Sequence, residues 1–185
     1  MRAEQRVREV FALYERHGGS DYIGEPVSQL EHMSQAAQLA MAEGFDDEVV
    51  LAAFFHDIGH ICADQVESMG GYGAVSHERL GADYLRRQGF SERLAKLVEY
   101  HVQAKRYLTL RAPGYYQRLS EASRRTLEYQ GGVMSAEEAD AFERDPLCQA
   151  SLRLRHWDEA AKRPDVPVLD LELLKAKATT LLNGP

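Results

Sequence analysis

Apolar residues recur at helical spacing along most of this chain. In the first segment they stand three and four positions apart, which places them on one face of an amphipathic helix, and a glycine pair then ends the pattern. These residues are Val7, Val10, Phe11 and Tyr14, followed by Gly18 and Gly19. The sequence contains no βαβ alternation, internal repeat or low-complexity segment, so the pattern predicts an all-α fold.

Capping residues indicate where the later helices begin. Ser28 with Glu31, and Ser135 with Glu138, have the spacing at which a serine and a glutamate cap a helix reciprocally. Single N-cap residues and helical spacing mark the other segments. We expect helices to begin at Ser28, Asp46, near Ser76, at Ser91 and at Ser135, and to cover residues 155–158 and 171–182.

Length and composition favour one domain. A chain of 185 residues with 44% hydrophobic content can bury a core of its own. We divide it into an N-terminal helix at residues 1–20, a loop at 21–27, a helical core at 28–182 and a tail at 183–185.

The charge and the cysteines exclude several classes of function. A net charge of -7 argues against general binding of nucleic acid or anionic membranes, although a locally basic pocket can still hold an anionic substrate. No apolar run approaches the roughly 20 residues of a membrane helix, and the N-terminus lacks a signal-peptide core. Cys62 and Cys148 give no disulfide framework, so we expect a cytoplasmic protein.

The adjacent pair His56 and Asp57 follows an apolar run, at the expected end of a buried helix. A lone histidine is more often a hydrogen-bonded structural residue, but this pair reverses those odds. A carboxylate has two oxygens, so Asp57 could bridge two ions while His56 binds one of them. Together with His32, His77, His101 and Asp158, the pair supplies four imidazoles and two carboxylates, enough for a two-metal centre. These residue types suit iron, manganese and zinc alike.

Two cations stand one helical turn from candidate ligands. Lys105 follows His101 by four positions, and Arg155 precedes Asp158 by three. Cations beside two metals are typical of a site for a phosphate or a phosphonate.

His60 has two possible placements. It shares a face with His56 if the helix continues that far. An early end at Gly59 would instead turn His60 toward the mouth of the pocket as a hydrogen-bond donor.

Eight short segments follow one another along the chain: Asp21–Glu25, Gln29–His32, His56–His60, Met69–Gly73, His77-Glu78, His101–Leu108, Ser120–Gly132 and Arg155–Asp158. In this order they resemble the motifs of the phosphonate-cleaving HD-domain oxygenases. A bare His-Asp pair mostly marks phosphohydrolases, so the specificity of the resemblance lies in the whole set.

The resemblance implies a single HD-domain helical bundle with a mixed-valence centre of two iron ions in its core. One iron would take His32, His56, Asp57 and Asp158, and the other would take Asp57, His77 and His101. In the resting enzyme Tyr22 would cap an open iron position and be held there by Glu25, both in a lid loop at 21–27. The residues implied to bind the phosphonate are His60, Lys105, Ser123 and Arg155.

The implied reaction is the dioxygen-dependent cleavage of the carbon–phosphorus bond of a small 1-hydroxyphosphonate, so the expected partners are this substrate and dioxygen. We rank (R)-2-amino-1-hydroxyethylphosphonate first, giving glycine and phosphate. The alternatives are its trimethylammonio analogue, giving glycine betaine, and hydroxymethylphosphonate. Glu25 could neutralise a substrate cation, and Tyr22, Tyr72 or the pair Tyr115 and Tyr116 could supply aromatic faces for a quaternary ammonium.

Two functions of other classes compete with the oxygenase. A metal-dependent HD phosphohydrolase would use the same ions to activate water, but it needs no tyrosine–glutamate lid, so Tyr22 and Glu25 favour the oxygenase. A non-catalytic HD module would bind a phosphorylated ligand only, and the complete ligand set argues against it.

Overall fold

A computed structural model describes residues 2–62 and 67–184. Within those residues it contains helices and two isolated bridges, Asp21–Ser28 and Ser68–Ala74, but no strand, which confirms the all-α prediction. The helices are α1 (Ala3–His17), α2 (Gln29–Ala42), α3 (Asp47–Phe55), α4 (His77–Arg87), α5 (Glu92–Arg111), α6 (Tyr115–Arg118), α7 (Glu121–Tyr129), α8 (Ala136–Arg144), α9 (Cys148–Ala160) and α10 (Leu171–Asn183), with a 3₁₀ turn at Ile58–His60.

The helices begin where their capping residues predict. Glu31 N–H donates to the Ser28 hydroxyl at 3.2 Å, and the Glu31 carboxylate accepts from Ser28 N–H at 2.7 Å. The same reciprocal cap joins Ser135 and Glu138. Such a cap contributes about 1 kcal/mol, because it satisfies N–H groups that the helix itself leaves unpaired.

Other boundaries differ from expectation. The first helix ends at His17, directly before the glycine pair as predicted, so it is shorter than the expected segment 1–20. α9 begins at Cys148, seven residues before the expected segment. Neither α6 nor α7 was predicted from the sequence, although Ser120 caps α7 by accepting from Ser123 N–H at 3.2 Å.

The helices pack around one core, and the candidate site lies at the centre of that core. α5 packs against α3, α4 and α9, while α2 packs against α3 and α9. A buried aromatic cluster in this core consists of Phe11, Tyr14, Phe54 and Phe55. Burial of each of these side chains stabilises the fold by roughly 1.5–3 kcal/mol. In the described part of the chain no helix combines the length and the apolar character needed to cross a bilayer.

Candidate metal centre and its substrate cavity

The turn after α3 sets the direction of the candidate ligands. α3 ends at Phe55, His56 forms its C-cap, and a 3₁₀ turn carries the chain through Gly59 to His60. A Cβ on Gly59 would lie 1.8 Å from the carbonyl oxygen of His77. Only glycine therefore lets this turn approach α4 closely enough for ligands on both segments to meet.

One oxygen of Asp57 faces the first group of candidate ligands. Oδ2 of Asp57 lies 3.5 Å from His32 Nε2 and 3.4 Å from His56 Nε2. The Oδ1 atom of Asp158 lies 3.3 Å from His32 Nε2 and 3.7 Å from His56 Nε2. Helices α2 and α9, together with the turn after α3, thus bring four candidate ligand side chains to one point.

The other oxygen of Asp57 faces a second group. Oδ1 of Asp57 lies 3.2 Å from His77 Nε2 and 3.4 Å from His101 Nε2. His77 is the first residue of α4, and His101 lies in the middle of α5. The carboxylate therefore stands between two ligand groups, in the orientation that a bridging ligand needs.

Backbone carbonyls select the tautomer of three of these histidines. The Nδ1 atom lies 2.9 Å from the Ala161 carbonyl oxygen in His32, 2.7 Å from that of Ala53 in His56, and 2.6 Å from that of Val98 in His101. A carbonyl only accepts, so each Nδ1 carries the hydrogen and each neutral ring presents its Nε2 lone pair to the centre.

These lone pairs converge closely. His32 Nε2 lies 3.0 Å from His56 Nε2, and His77 Nε2 lies 3.1 Å from His101 Nε2. Two nitrogens bound at right angles to one ion, each about 2.1 Å from it, would be about 3.0 Å apart. Facing lone pairs repel unless positive charge lies between them, so the separations fit an ion in each group.

The charges of the cluster favour a bound cation. Burial alone would raise the pKa of Asp57, but the surrounding imidazoles outweigh it and hold that pKa well below its usual value. Burial likewise opposes protonation of His56, yet Asp57 and Asp158 raise its pKa to about 10, so without a metal this ring would hold a second proton. Among the described residues, none donates a hydrogen bond to the buried Oδ2 atom of Asp57. A metal ion would take the place of the extra proton on the imidazoles and would neutralise the charge of this oxygen.

Comparison with known proteins assigns the family. The sequence model of the HD domain matches residues 29–146, more than half of the chain. The chain belongs to the HD-domain family. The match covers the segment that carries His32, His56, Asp57, His77 and His101.

Three similar proteins narrow the assignment. A [1-hydroxy-2-(trimethylamino)ethyl]phosphonate dioxygenase (glycine-betaine-forming) of Leisingera caerulea is 42% identical over 85% of this chain and 81% of its own. A hydroxymethylphosphonate dioxygenase of Gimesia maris is 39% identical over 91% of this chain and 84% of its own. An uncharacterized protein, L432, of Acanthamoeba polyphaga mimivirus is 48% identical over 85% and 73% of the two chains. This HD-domain protein is thus a member of the phosphonate oxygenases.

His60 of this HD-domain protein takes the second of its two predicted placements. The helix ends before it, and the Nδ1 atom of His60 accepts a hydrogen bond from Ala74 N–H at 3.1 Å. Burial and the neighbouring His77 lower its pKa to about 3, so the ring is neutral and Nε2 carries the hydrogen. Nε2 lies 3.9 Å from Asp57 Oδ1 and faces the cavity as a donor, unlike the candidate ligand histidines.

A cavity of about 60 Å³ adjoins the ligand clusters. Its wall is mostly polar and includes the candidate substrate contacts His60, Lys105, Ser123 and Arg155. Tyr22 and Tyr72 are on its wall. Tyr115 is instead buried against Glu159, and Tyr116 lines a neighbouring groove, so of the four tyrosines the first two remain candidates for contact with a substrate tail.

Lys105 reaches this cavity as a buried amine. Its Nζ donates to Thr126 Oγ1 at 2.8 Å and to Gln130 Oε1 at 2.7 Å, and both acceptors are neutral. Burial first, and then the charge of Arg155, lower the pKa of Lys105 to about 6. A bound anion would counter both effects, so this amine is suited to a negatively charged ligand.

Arg155 is held more firmly than the sequence indicated. Its guanidinium binds the carboxylate of Asp158, and its Nε donates to Glu159 at 2.9 Å and to the Tyr115 hydroxyl at 3.0 Å. Nη2 lies 3.5 Å from Ser123 Oγ, which also lines the cavity. Arg155 therefore orients a candidate metal ligand as well as facing the cavity.

The loop at 21–27 covers the first ligand group. The ring of Tyr22 stacks on His32 with centroids 4.0 Å apart. Burial, together with the charges of Asp57 and Asp158, raises the pKa of Tyr22 well above its usual value. The side chain of Glu25 binds Lys162 Nζ at 2.6 Å, and this partner was not predicted from the sequence.

Sequence reasoning missed three polar residues at the cavity or its lid: Thr126, Gln130 and Lys162. A signal existed for the first two, since Ser123, Thr126 and Gln130 are spaced three and four apart and form one polar stripe on α7 and its C-cap. Lys162 had no such signal, because it lies in the irregular segment after α9.

Proposed function

We propose that this HD-domain protein uses two iron ions and dioxygen to cleave the carbon–phosphorus bond of a small 1-hydroxyphosphonate. The observation that carries the proposal is the Asp57 carboxylate, whose two oxygens face two separate groups of imidazole ligands. A buried lysine with neutral partners lies on the adjoining cavity. The two relatives named as hydroxyphosphonate dioxygenases support the same chemistry.

The chain offers each ion a different coordination. His32, His56, Asp57 and Asp158 would hold one iron, which leaves little room for further ligands. Asp57, His77 and His101 would hold the other, which leaves positions for substrate. Bound iron would supply the redox chemistry that activates dioxygen. A neutral imidazole and a bridging carboxylate are both suited to that metal.

The protein's own residues would bind and orient the phosphonate. Lys105, Arg155, the Ser123 hydroxyl and His60 Nε2–H are donors that line one cavity, and a phosphonate offers three acceptor oxygens. Holding the phosphonate there would direct the carbinol carbon toward the second ion. Orientation of this kind is a main contribution of a protein to a reaction carried by its cofactor.

The lid would exclude water and protect the resting centre. Tyr22 stacks on His32 and would cap an iron position until substrate displaces it. Because burial raises the pKa of Tyr22, its phenol keeps its proton unless a cation lies close by. Tyr22 and Glu25 would then move away together as substrate enters.

The first-ranked substrate is (R)-2-amino-1-hydroxyethylphosphonate. One molecule of dioxygen per substrate balances its conversion to glycine and phosphate, with the C1–H and C–P bonds broken. The trimethylammonio analogue and hydroxymethylphosphonate are the alternatives, and they are the compounds named for the two relatives.

The test is to follow dioxygen uptake and phosphate release in one vessel with iron-loaded protein. Each of the three phosphonates is offered separately, with p-nitrophenyl phosphate as a substrate for hydrolysis and Asp57→Ala protein as the inactive control. Equal oxygen loss and phosphate gain with one phosphonate would support the proposal and identify the substrate. Phosphate release from the ester without oxygen uptake would show a phosphohydrolase and contradict it.

A further inference from the structure

Lys162, in the segment after α9, bonds to one residue of the lid and to one at the start of α7. Its Nζ donates to Glu25 Oε1 at 2.6 Å and lies 3.4 Å from Ser120 Oγ, the N-cap of α7. The side chains of Lys162 and Glu25 are only 16% and 9% exposed, so this ion pair is largely shielded from solvent. A shielded pair is stronger and more specific than one on the open surface.

The backbone around Lys162 is fixed. The carbonyl of Ala161 accepts from His32 Nδ1 at 2.9 Å, while the N–H and carbonyl of Arg163 both bond to the Gln35 side chain, at 3.1 and 2.9 Å. The lysine side chain therefore extends from a rigid base on α2. Any opening of the lid would therefore separate Glu25 from Lys162.

Glu25 is placed both to hold the lid and to meet a substrate tail. It lines the cavity, and its N–H donates to the Tyr22 carbonyl at 3.0 Å, so its position is coupled to that of the phenol. Among the described residues that line the cavity, the other two carboxylates, Asp57 and Asp158, belong to the candidate ligand groups. A cationic substrate tail would therefore have Glu25 as its carboxylate partner, and Lys162 already neutralises that carboxylate.

Given the proposed function, we infer that Lys162 is a specificity-determining residue whose ammonium occupies the place on Glu25 that the cationic tail of a substrate would take. When the lid is closed, the Lys162 ammonium binds Glu25 where the substrate's amine would bind it. A cationic substrate must exchange with it, whereas a substrate without a cation leaves the pair intact. Lys162 thus lowers the preference for cationic tails below what an unpaired Glu25 would give.

The first test compares two substrates in the holoenzyme. The ratio of kcat/KM for 2-amino-1-hydroxyethylphosphonate to that for hydroxymethylphosphonate is measured in the wild type, Lys162→Met, Lys162→Arg and Lys177→Met. Lys177 binds Asp47 at 2.5 Å between α10 and α3 and serves as the matched ion-pair control. We expect Lys162→Met to raise the ratio on the order of tenfold, with about twofold or less in the other two variants. An unchanged or lower ratio in Lys162→Met would overturn the inference.

The second test does not need turnover. Backbone amide hydrogen exchange of Tyr22 and Glu25 reports opening of the lid, because their N–H groups bond to carbonyls within the loop. Lys162→Met should speed this exchange by roughly fivefold or more, and Lys162→Arg and Lys177→Met should not. Equal exchange in all four proteins would show that the ion pair does not hold the lid. If the wild type consumed no dioxygen with any phosphonate, the proposed function would fail, while this measurement would still decide the role of Lys162 in the lid.

Discussion

Replacing Lys105 with methionine should stabilise the fold while weakening substrate binding. Burial lowers the pKa of Lys105 from 10.5 to about 6, so at neutral pH the amine is uncharged in the folded protein and charged in the unfolded chain. One pKa unit corresponds to about 1.36 kcal/mol. Burying this amine therefore costs about 5 kcal/mol at pH 6.5 and roughly half as much at pH 8.5.

The sign of the pH dependence follows from proton counts. Between pH 6 and pH 10.5 the unfolded state holds the lysine proton and the folded state does not, so wild-type stability rises with pH in that window. Methionine removes this dependence. It also removes the bonds to Thr126 and Gln130, worth about 1 kcal/mol each, but those groups do not titrate. The advantage of Lys105→Met should therefore shrink by roughly 2 to 3 kcal/mol from pH 6.5 to pH 8.5.

The assay is urea unfolding of chelator-treated wild type, Lys105→Met and Lys177→Met at both pH values. The free energy of unfolding of each variant is subtracted from that of the wild type at the same pH, which cancels the contribution of the groups that titrate alike in all three proteins. A stability difference between wild type and Lys105→Met that stays constant over two pH units would refute this account of the buried amine. In the same variant the affinity for the phosphonate should fall by about 2 kcal/mol, near thirtyfold, by calorimetry.

Three further substitutions test the metal centre and its lid. Asp57→Ala should lose both metal ions, measured by metal analysis of purified protein, while the surface change Asp83→Ala retains them; one ion kept at full occupancy would contradict the bridging role. Tyr22→Phe should alter the resting iron spectrum and keep some turnover, and an identical spectrum would count against coordination by the hydroxyl. Gly59→Ala should destabilise the fold by about 3 kcal/mol and lower the metal content, because its Cβ meets the backbone of α4. Gly19→Ala has open space around it and should show neither effect in the same measurements.

The sequence was most informative where a structural rule is local. Ser28 and Ser135 mark helix starts because a cap needs only a side chain and the N–H groups two or three residues away. The adjacent His56 and Asp57 were recognisable because their chemistry and spacing are visible without a fold. The order of the other candidate ligand residues along the chain added the family resemblance, and the comparisons confirmed the family.

Some features near the site could have been read from the sequence but were not. The polar stripe of Ser123, Thr126 and Gln130 lies at helical spacing, yet α7 was not predicted as a helix. Its short length, nine residues, and its strongly polar surface hid the apolar pattern on which helix prediction depends. The stripe becomes meaningful only when Lys105 is seen to bond to it.

By itself the sequence determined the helical class, the main helix starts and the chemical types of the candidate ligands. Only the tertiary structure decided which oxygen of Asp57 faces which imidazoles, which carbonyl fixes the tautomer of His32, and that Glu25 pairs with Lys162 across 137 positions of chain. The physical reason is the distance along the chain over which each interaction acts. Capping and helical periodicity act over a few residues, whereas charge pairing and ligand convergence depend on which helices pack together, and the free energy of that packing is spread over the whole core.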